Sequence, residues 1–383
     1  VRGIALIVRA GAVVCAFAFV FSLLVHGAPK PAVASREAVS SSSTPTTATR
    51  TAQAKKTAKK RAAKKVPPGV VAIVATGDIV MGSTPNLPPD GGRSFFSDVQ
   101  TDLAGDVVLG NLEGTLSTGG SSKCGAASTN CFAFQTPPSY ARWLERAGFT
   151  VMSLANNHAF DYGQAGLQQT IGALRRVGLL HTGRPNQITI QKVGDMRVAT
   201  VGFAPYPWAA SLTDIAAAKQ LVRAAGRISD VVVVTMHAGA EGRDQQHVRR
   251  GTERFLGENR GDPVRFAHAV VDAGADLVVG SGPHVLRGME WYKGRLIAYS
   301  LGNFAGYDVF SLGGPLSTSG ILRVTLDGAG RFETGRLVPT HMVGAGLPAL
   351  DPSEAAHGLV RTLSREDFGR RGVKISPDGV LTR

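Results

Sequence analysis

The sequence predicts a layered α/β domain on a mostly parallel or mixed central sheet. Three observations carry this reading. Apolar runs of strand length recur between residues 70 and 345, and most end in a small polar cluster. Segments with apolar residues at helical spacing, closed by glycine, alternate with them. The strand-like runs are apolar almost continuously, as strands covered on both faces are.

The elements follow in order. "VVAIVATGDIVMG", from Val70, is a buried strand feeding a loop, and "DVVLGNLEGTL" repeats that form. "PPSYARWLERAGF" reads as a helix stopping near Gly148, and "TVMSLANNHAFDYG" as a third strand and loop. "AGLQQTIGALRRVGLLHTG" is an amphipathic helix ending in glycine, and "MRVATVGFAPY" a fourth strand. "DVVVVTMHAGAE" is a fifth strand, "DPVRFAHAVVDAGA" a helix, "DLVVGSGPHV" a sixth strand and "RLIAYSLGNFAG" a seventh. "GILRVTLDGAGRFETGRLVPTHMV" alternates and turns at Asp327-Gly328, the pattern of an antiparallel hairpin. These make one domain over residues 70–345. Residues 346–383 read as a C-terminal tail of uncertain order, with a short helix at "EAAHGLVRTLSRED".

The N-terminal part has a different character. Arg2 and Arg9 precede "AGAVVCAFAFVFSLLVHGA", about 19 residues without Lys, Arg, Asp or Glu. Residues 1–28 are therefore a membrane anchor or a cleaved signal segment, with small residues at Gly27-Ala28 and Ala32-Val33-Ala34 as cut sites. The positive flank stays in the cytoplasm, so the body is expected outside it, at the cell membrane or secreted. Residues 29–69 are Ser/Thr/Ala/Lys-rich with almost no large apolar side chain, which reads as a disordered spacer. Residues 1–69 hold 12 of the 42 Lys+Arg and one of the 28 acids, so +11 of the net charge of +14 belongs to the tail. The body is nearly balanced and offers no basic stripe for nucleic acid. Cys124 and Cys131 flank a Gly/Ser-rich loop and are expected to pair in an oxidising compartment.

The unusual polar residues share one kind of position. Asp78 follows the first strand, and Asn111 and Glu113 the second. Asn156, Asn157, His158 and Asp161 follow the third; His237 and Glu241 follow "VVVVTM"; His284 follows "LVVG"; Asn303 follows "AYSLG". Loops at the carboxyl ends of strands gather along one edge of an open α/β sheet, and ligands bind there. Carboxylates, carboxamides and imidazoles are ligands for divalent ions such as Mn, Fe or Zn, and the absence of Cys argues against a structural zinc site. One or two such ions would polarise a phosphoryl oxygen. Taken singly each residue has an ordinary reading: a turn former, a cap, a satisfied core histidine. "NNH" is the least easily dismissed, because buried polar groups need partners.

Five segments in this order, "TGDIVMG", "GNLEGTLS", "SLANNHAFDYG", "MHAGAE" and "GPHVLRGMEWYKGRLIAYSLGNF", resemble the bacterial capsule-synthesis protein CapA family, associated with poly-γ-glutamate. That family is similar to the calcineurin-like metallophosphoesterases, so the resemblance implies an αββα sandwich with mixed central sheets. It also implies metal ligands at Asp78, Asn111, Glu113, Asn157, His237 and His284. His158 matches the proton-donating histidine of the phosphoesterase pattern, and His237 is a second candidate for that role. Where relatives often carry histidine before the Pro-His pair, this chain has Ser281 and Gly282. With Asn111 in place of a carboxylate, the expectation is a single metal, or a second held weakly.

Three functions are in view: a metal-dependent hydrolase of an envelope phosphoester; a non-catalytic accessory binding an anionic polymer with capsule-synthesis membrane proteins; and wall binding through the basic spacer. No Gly-x-x-x-x-Gly-Lys loop is present, so the chain does not itself drive amide-bond synthesis with ATP.

Overall fold

The computed structural model describes residues 69–125 and 131–383. The membrane or signal segment expected at 1–28 and the spacer expected at 29–69, Gly69 apart, lie outside the described residues. Among the described residues no helix is long and apolar enough to cross a membrane.

In chain order the main elements are β1 (Val70–Val80), β2 (Val107–Leu112), α1 (Ala141–Ala147), β3 (Val151–Ser153), α2 (Gly163–Arg176) and β4 (Leu180–Thr182). Then come β5 (Thr189–Val193), β6 (Met196–Ala204), α3 (Ile215–Ile228), β7 (Val231–His237), α4 (Pro263–Ala273) and β8 (Leu277–Ser281). The chain continues through β9 (Met289–Tyr292), β10 (Arg295–Ala298), β11 (Asn303–Gly306), β12 (Thr318–Asp327), β13 (Phe332–Val343), β14 (Leu347–Leu350) and α5 (Ala355–Phe368). α3 is absent from the sequence reading although its signals are present. Asp214 caps it through Ala217 N at 2.9 Å, and Ala218, Val222 and Ala225 form its buried stripe.

Two mixed sheets result. The first runs β14-β13-β12-β1-β2-β3-β4, with β11 also pairing β1; the second runs β9-β10-β8-β7-β6-β5. β1, β2, β3 and β4 are mutually parallel, as are β6, β7, β8 and β10, while β12 and β13 form the expected antiparallel hairpin.

The valine run of β7 shows how the layers form. Val231 and Val233 join the core between the sheets, with Val71 and Ile73 of β1 and Leu277 of β8. Val232 and Val234 point the other way, into a core shared with Val222 of α3 and Phe266 and Val270 of α4. In the first sheet Val74 and Val108 face outward onto Leu144 of α1 and Leu167 of α2. A strand buried on both faces must be apolar at every position, which explains the unbroken runs. The order of layers is helix, sheet, sheet, helix.

Residues 346–383, read from sequence as a tail, are structured. β14 extends the first sheet, and Ala356 and Val360 of α5 enter the inter-sheet core with Val373, Ile375 and Leu381. Met289 N of β9 donates to Ser364 Oγ at 2.8 Å, Trp291 Nε1 to Thr382 O at 3.0 Å, and Leu337 N of β13 to Gly379 O at 2.9 Å. This segment therefore touches both sheets.

Register sets the polar edge. Asp78 sits opposite Asn111 on one side and Asn303 on the other; Asn111 is level with Ser153, and His237 with Ser281. The ladder of β1 slips between Ala75 and Asp78, where Gly77 lies against Gly302. A Cβ at Gly77 would overlap the Gly302 carbonyl, the same group that accepts from Asp78 N at 3.0 Å. Gly77→Ala should cost about 1–3 kcal/mol, as overpacking of a close backbone contact does. A lowered denaturant midpoint with unchanged slope is the expected reading, and an unchanged midpoint counts against the contact.

Candidate metal centre

The carboxyl ends of β1 and β2 in one sheet and β7 and β8 in the other meet around Glu113. Asp78, Glu113 and His237 are each 0–1% exposed and offer ligand atoms within 4.8 Å of one another. Glu113 Oε1 lies 3.6 Å from His237 Nε2 and 3.8 Å from His284 Nε2, too far for hydrogen bonds. Neither oxygen of Glu113 has a hydrogen-bond partner among the described residues.

The neighbours are fixed. Asn111 Nδ2 donates to Asp78 Oδ1 at 2.8 Å and lies 3.3 Å from His237 Nδ1. Gly282 N donates to Asp78 Oδ2 at 3.3 Å. His284 Nδ1 lies 2.8 Å from Asn303 Oδ1 and 3.3 Å from Asp78 Oδ2, and its Nε2 is 3.6 Å from Glu241 Oε2. The backbone of His284 is left-handed (φ 62°), a costly conformation for a non-glycine residue and one that recurs where a site fixes a side chain.

The Asn-Asn-His stretch divides its work. Asn156 Nδ2 donates to Asn111 Oδ1 at 3.0 Å and Leu112 O at 2.9 Å, while its Oδ1 accepts from His158 N at 3.0 Å. It ties the third loop to the second. The Asn157 carboxamide oxygen is buried without a hydrogen-bond partner, and among the described residues this side chain makes no hydrogen bond to the Glu113 group. His158 Nδ1 faces Asp161 Oδ2 at 2.8 Å, and Lys123 Nζ pairs with Asp161 Oδ1 at 2.6 Å. The Cys124–Cys131 disulfide closes the loop between Lys123 and Phe134, whose ring lies 4.4 Å from that of His158.

Charge follows burial. Burial, with Asp78 and Glu241 nearby, holds the Glu113 carboxyl well above its usual range despite His284 and Arg260. Burial opposes a charged His284, but Glu113, Asp78 and Glu241 outweigh it and hold that imidazole well above 6.5. Burial, then Arg260 and His284, hold His237 well below 6.5, neutral as a metal ligand must be. Burial also lowers His158 against the pull of Asp161. Although burial opposes it, hydrogen bonding and attraction to His284, with Arg260, bring Glu241 to about 2.

Sequence reasoning missed Arg260, 1% exposed, whose Nη2 is 3.2 Å from His237 Nε2 and whose Nη1 is 2.7 Å from Glu241 Oε1. It also missed the aromatic wall. Phe132, Phe134, Phe255 and Phe310 line a cleft of about 230 Å³ with His158 and His284. Nothing local in "GENRGD" signals a buried arginine.

The comparisons with known proteins agree with this arrangement of motifs. Residues 72–307 match the family described as bacterial capsule synthesis protein PGA_cap. This chain belongs to the PGA_cap family. It is 31% identical over 284 residues to the PGA biosynthesis protein CapA of Bacillus subtilis (strain 168), covering 67% of this chain and 68% of that protein. It is 28% identical over 319 residues to a probable polyglutamine synthesis accessory protein of Mycobacterium tuberculosis (strain ATCC 25618 / H37Rv), covering 74% and 78%. Among solved structures, a putative 5'-nucleotidase from Staphylococcus aureus overlaps at TM-score 0.41 and 16% identity, covering 77% of this chain and 58% of that one. That overlap is too loose to bear on chemistry.

The buried, unbonded Glu113, beside Asp78 and neutral His237, is a donor set that fits a divalent cation. Glu113 and His284 both hold protons above their ordinary range, so cation binding must expel protons. Apparent Mn2+ affinity is therefore expected to rise with pH. Calorimetry in two buffers of different ionisation enthalpy should show net proton release, and pH-independent binding would contradict these charge states.

Proposed function

We propose that this PGA_cap protein works outside the cytoplasmic membrane in making a capsule or envelope polymer of poly-γ-glutamate type, as a metal-dependent hydrolase of the metallophosphoesterase type. The family and its relatives support the pathway. Glu113 carries the chemistry: it is fully buried with both oxygens unbonded, a place that a bound cation would account for. The helix, sheet, sheet, helix layering and the strand-end position of the site support the same reading.

Asp78, Glu113 and His237 would hold the ion, with His284 beside them. A divalent ion there, Mn, Fe or Zn, supplies Lewis acidity toward a phosphoryl oxygen. The protein supplies the rest. Asp161 fixes the His158 ring through Nδ1, leaving Nε2 as the nitrogen that exchanges a proton with the substrate. The Phe134 ring covers His158 and keeps water from one side.

The aromatic cleft favours the hydrolase over a polymer-holding role. Among the described residues its lining contains histidines and Glu241 but no Lys or Arg, so it suits an ester with an apolar substituent better than a polyanion. The N-terminal segment would attach the domain to the membrane, near capsule-synthesis membrane proteins.

The test is bound metal and Mn2+-dependent hydrolysis of an aryl phosphodiester by the full chain. Asp78→Ala and His237→Ala should lose metal and activity together while keeping the fold. His158→Gln should keep the metal and lower kcat about 100- to 10,000-fold, the range for a general acid or base. A folded protein that binds no divalent ion sinks this reading.

A further inference from the structure

Arg260 is the buried charge that this chemistry leaves unused. It stands between the two-residue strand Glu258–Asn259 and α4. Its guanidinium is fully engaged. Nε donates to Gly239 O at 3.1 Å, Nη1 to Tyr206 Oη at 2.7 Å, and Nη2 to Gly282 O at 3.3 Å. Nη1 also pairs with Glu241 Oε1 at 2.7 Å, and Nη2 faces His237 Nε2 at 3.2 Å. With every donor occupied, Arg260 is not poised to grip a substrate. It is built in.

The position is telling. Gly282 has φ +104°, and a Cβ there would lie 3.0 Å from His237 Nε2 and 3.1 Å from Arg260 Nη2. The guanidinium thus fills the space into which a side chain at 282 would project, between His237 and Glu241. A histidine cannot share that space with Arg260.

We infer that Arg260 is a resident cation standing where a second metal ion would otherwise sit, so that the site takes one divalent ion. The inference rests on the metal-site reading above. Charge argues for it. Asp78, Glu113 and Glu241 are three carboxylates crowded in a buried space, with 0%, 0% and 13% side-chain exposure. The Arg260 guanidinium already pairs with Glu241 at 2.7 Å, so Asp78 and Glu113 are the carboxylates left for one divalent ion. Asp78, Glu113 and His237 would remain to hold that ion, and Arg260 closes the side of Glu241 and Gly282.

The experiment counts ions on the full chain purified in detergent and loaded with Mn2+. Elemental analysis should give one ion per chain, and paramagnetic resonance at full loading an uncoupled Mn2+ spectrum. Arg260→Met with Gly282→His removes the cation and supplies an imidazole, and should raise the count to two with an exchange-coupled spectrum. Arg260→Lys should stay at one. Two ions in the wild type overturn the inference while leaving the metal reading intact, and so does a folded Arg260→Met/Gly282→His variant that still binds one. No ion in the wild type overturns the metal reading and this inference together. Should the variant not fold, the wild-type count and spectrum decide: one uncoupled ion upholds the inference and a coupled pair refutes it.

Discussion

Glu113 is a carboxylate sealed from solvent with no donor on either oxygen. Such a group is costly unless a proton or a cation compensates it, and burial pushes its pKa up, toward the protonated form. The surrounding chemistry answers this demand. Asp78 and His237 bring further donor atoms to the same point, His284 is held there by a left-handed backbone and Asn303, and Arg260 supplies fixed positive charge behind them. Removing Glu113 in thought leaves these residues with no common purpose.

Convergence of so many groups depends on two sheets packed face to face with their parallel strands ending at one edge. Each strand delivers one or two side chains, and register decides which. The pairing of Asp78 with both Asn111 and Asn303 is a property of β1 lying between β2 and β11. Across the gap, His237 and Ser281 are level on β7 and β8. Outer positions are braced separately: Lys123 and Phe134 flank the disulfide loop and fix Asp161 and His158. A stack of Tyr206, Trp208 and Phe160, with centroids 5.2 Å and 5.0 Å apart, links the arginine to the Asn156 loop.

Much of this was legible because the signals are local. An unbroken apolar run followed by Asp, Asn-x-Glu or His marks a doubly covered strand and the polar group at its end; that pattern pointed to Asp78, Asn111, Glu113, Asn157, His158, His237 and His284 as strand-end groups, and Asp78, Asn111, Glu113, His237 and His284 lie together in the structure. The cysteine pair and the β12–β13 hairpin are short-range for the same reason. What the sequence hid is tertiary. Arg260 lies in a polar loop and is buried only because Tyr206, Glu241 and Gly282, distant in sequence, close around it. The difference between Asn156 and Asn157 depends on which carboxamide reaches Asn111, which spacing does not tell. The residues after 345 looked like a tail because their apolar side chains are few and scattered, although Ala356, Val360, Val373, Ile375 and Leu381 enter the core between the sheets.

Those residues lengthen the loops that folding must close. Leu381 shares the inter-sheet core with Val71, and Thr382 accepts the indole hydrogen of Trp291. Side chains 310 residues apart in sequence thus enter one core. A core assembled from side chains so far apart in sequence has a high contact order, which predicts slow folding for a domain of this size.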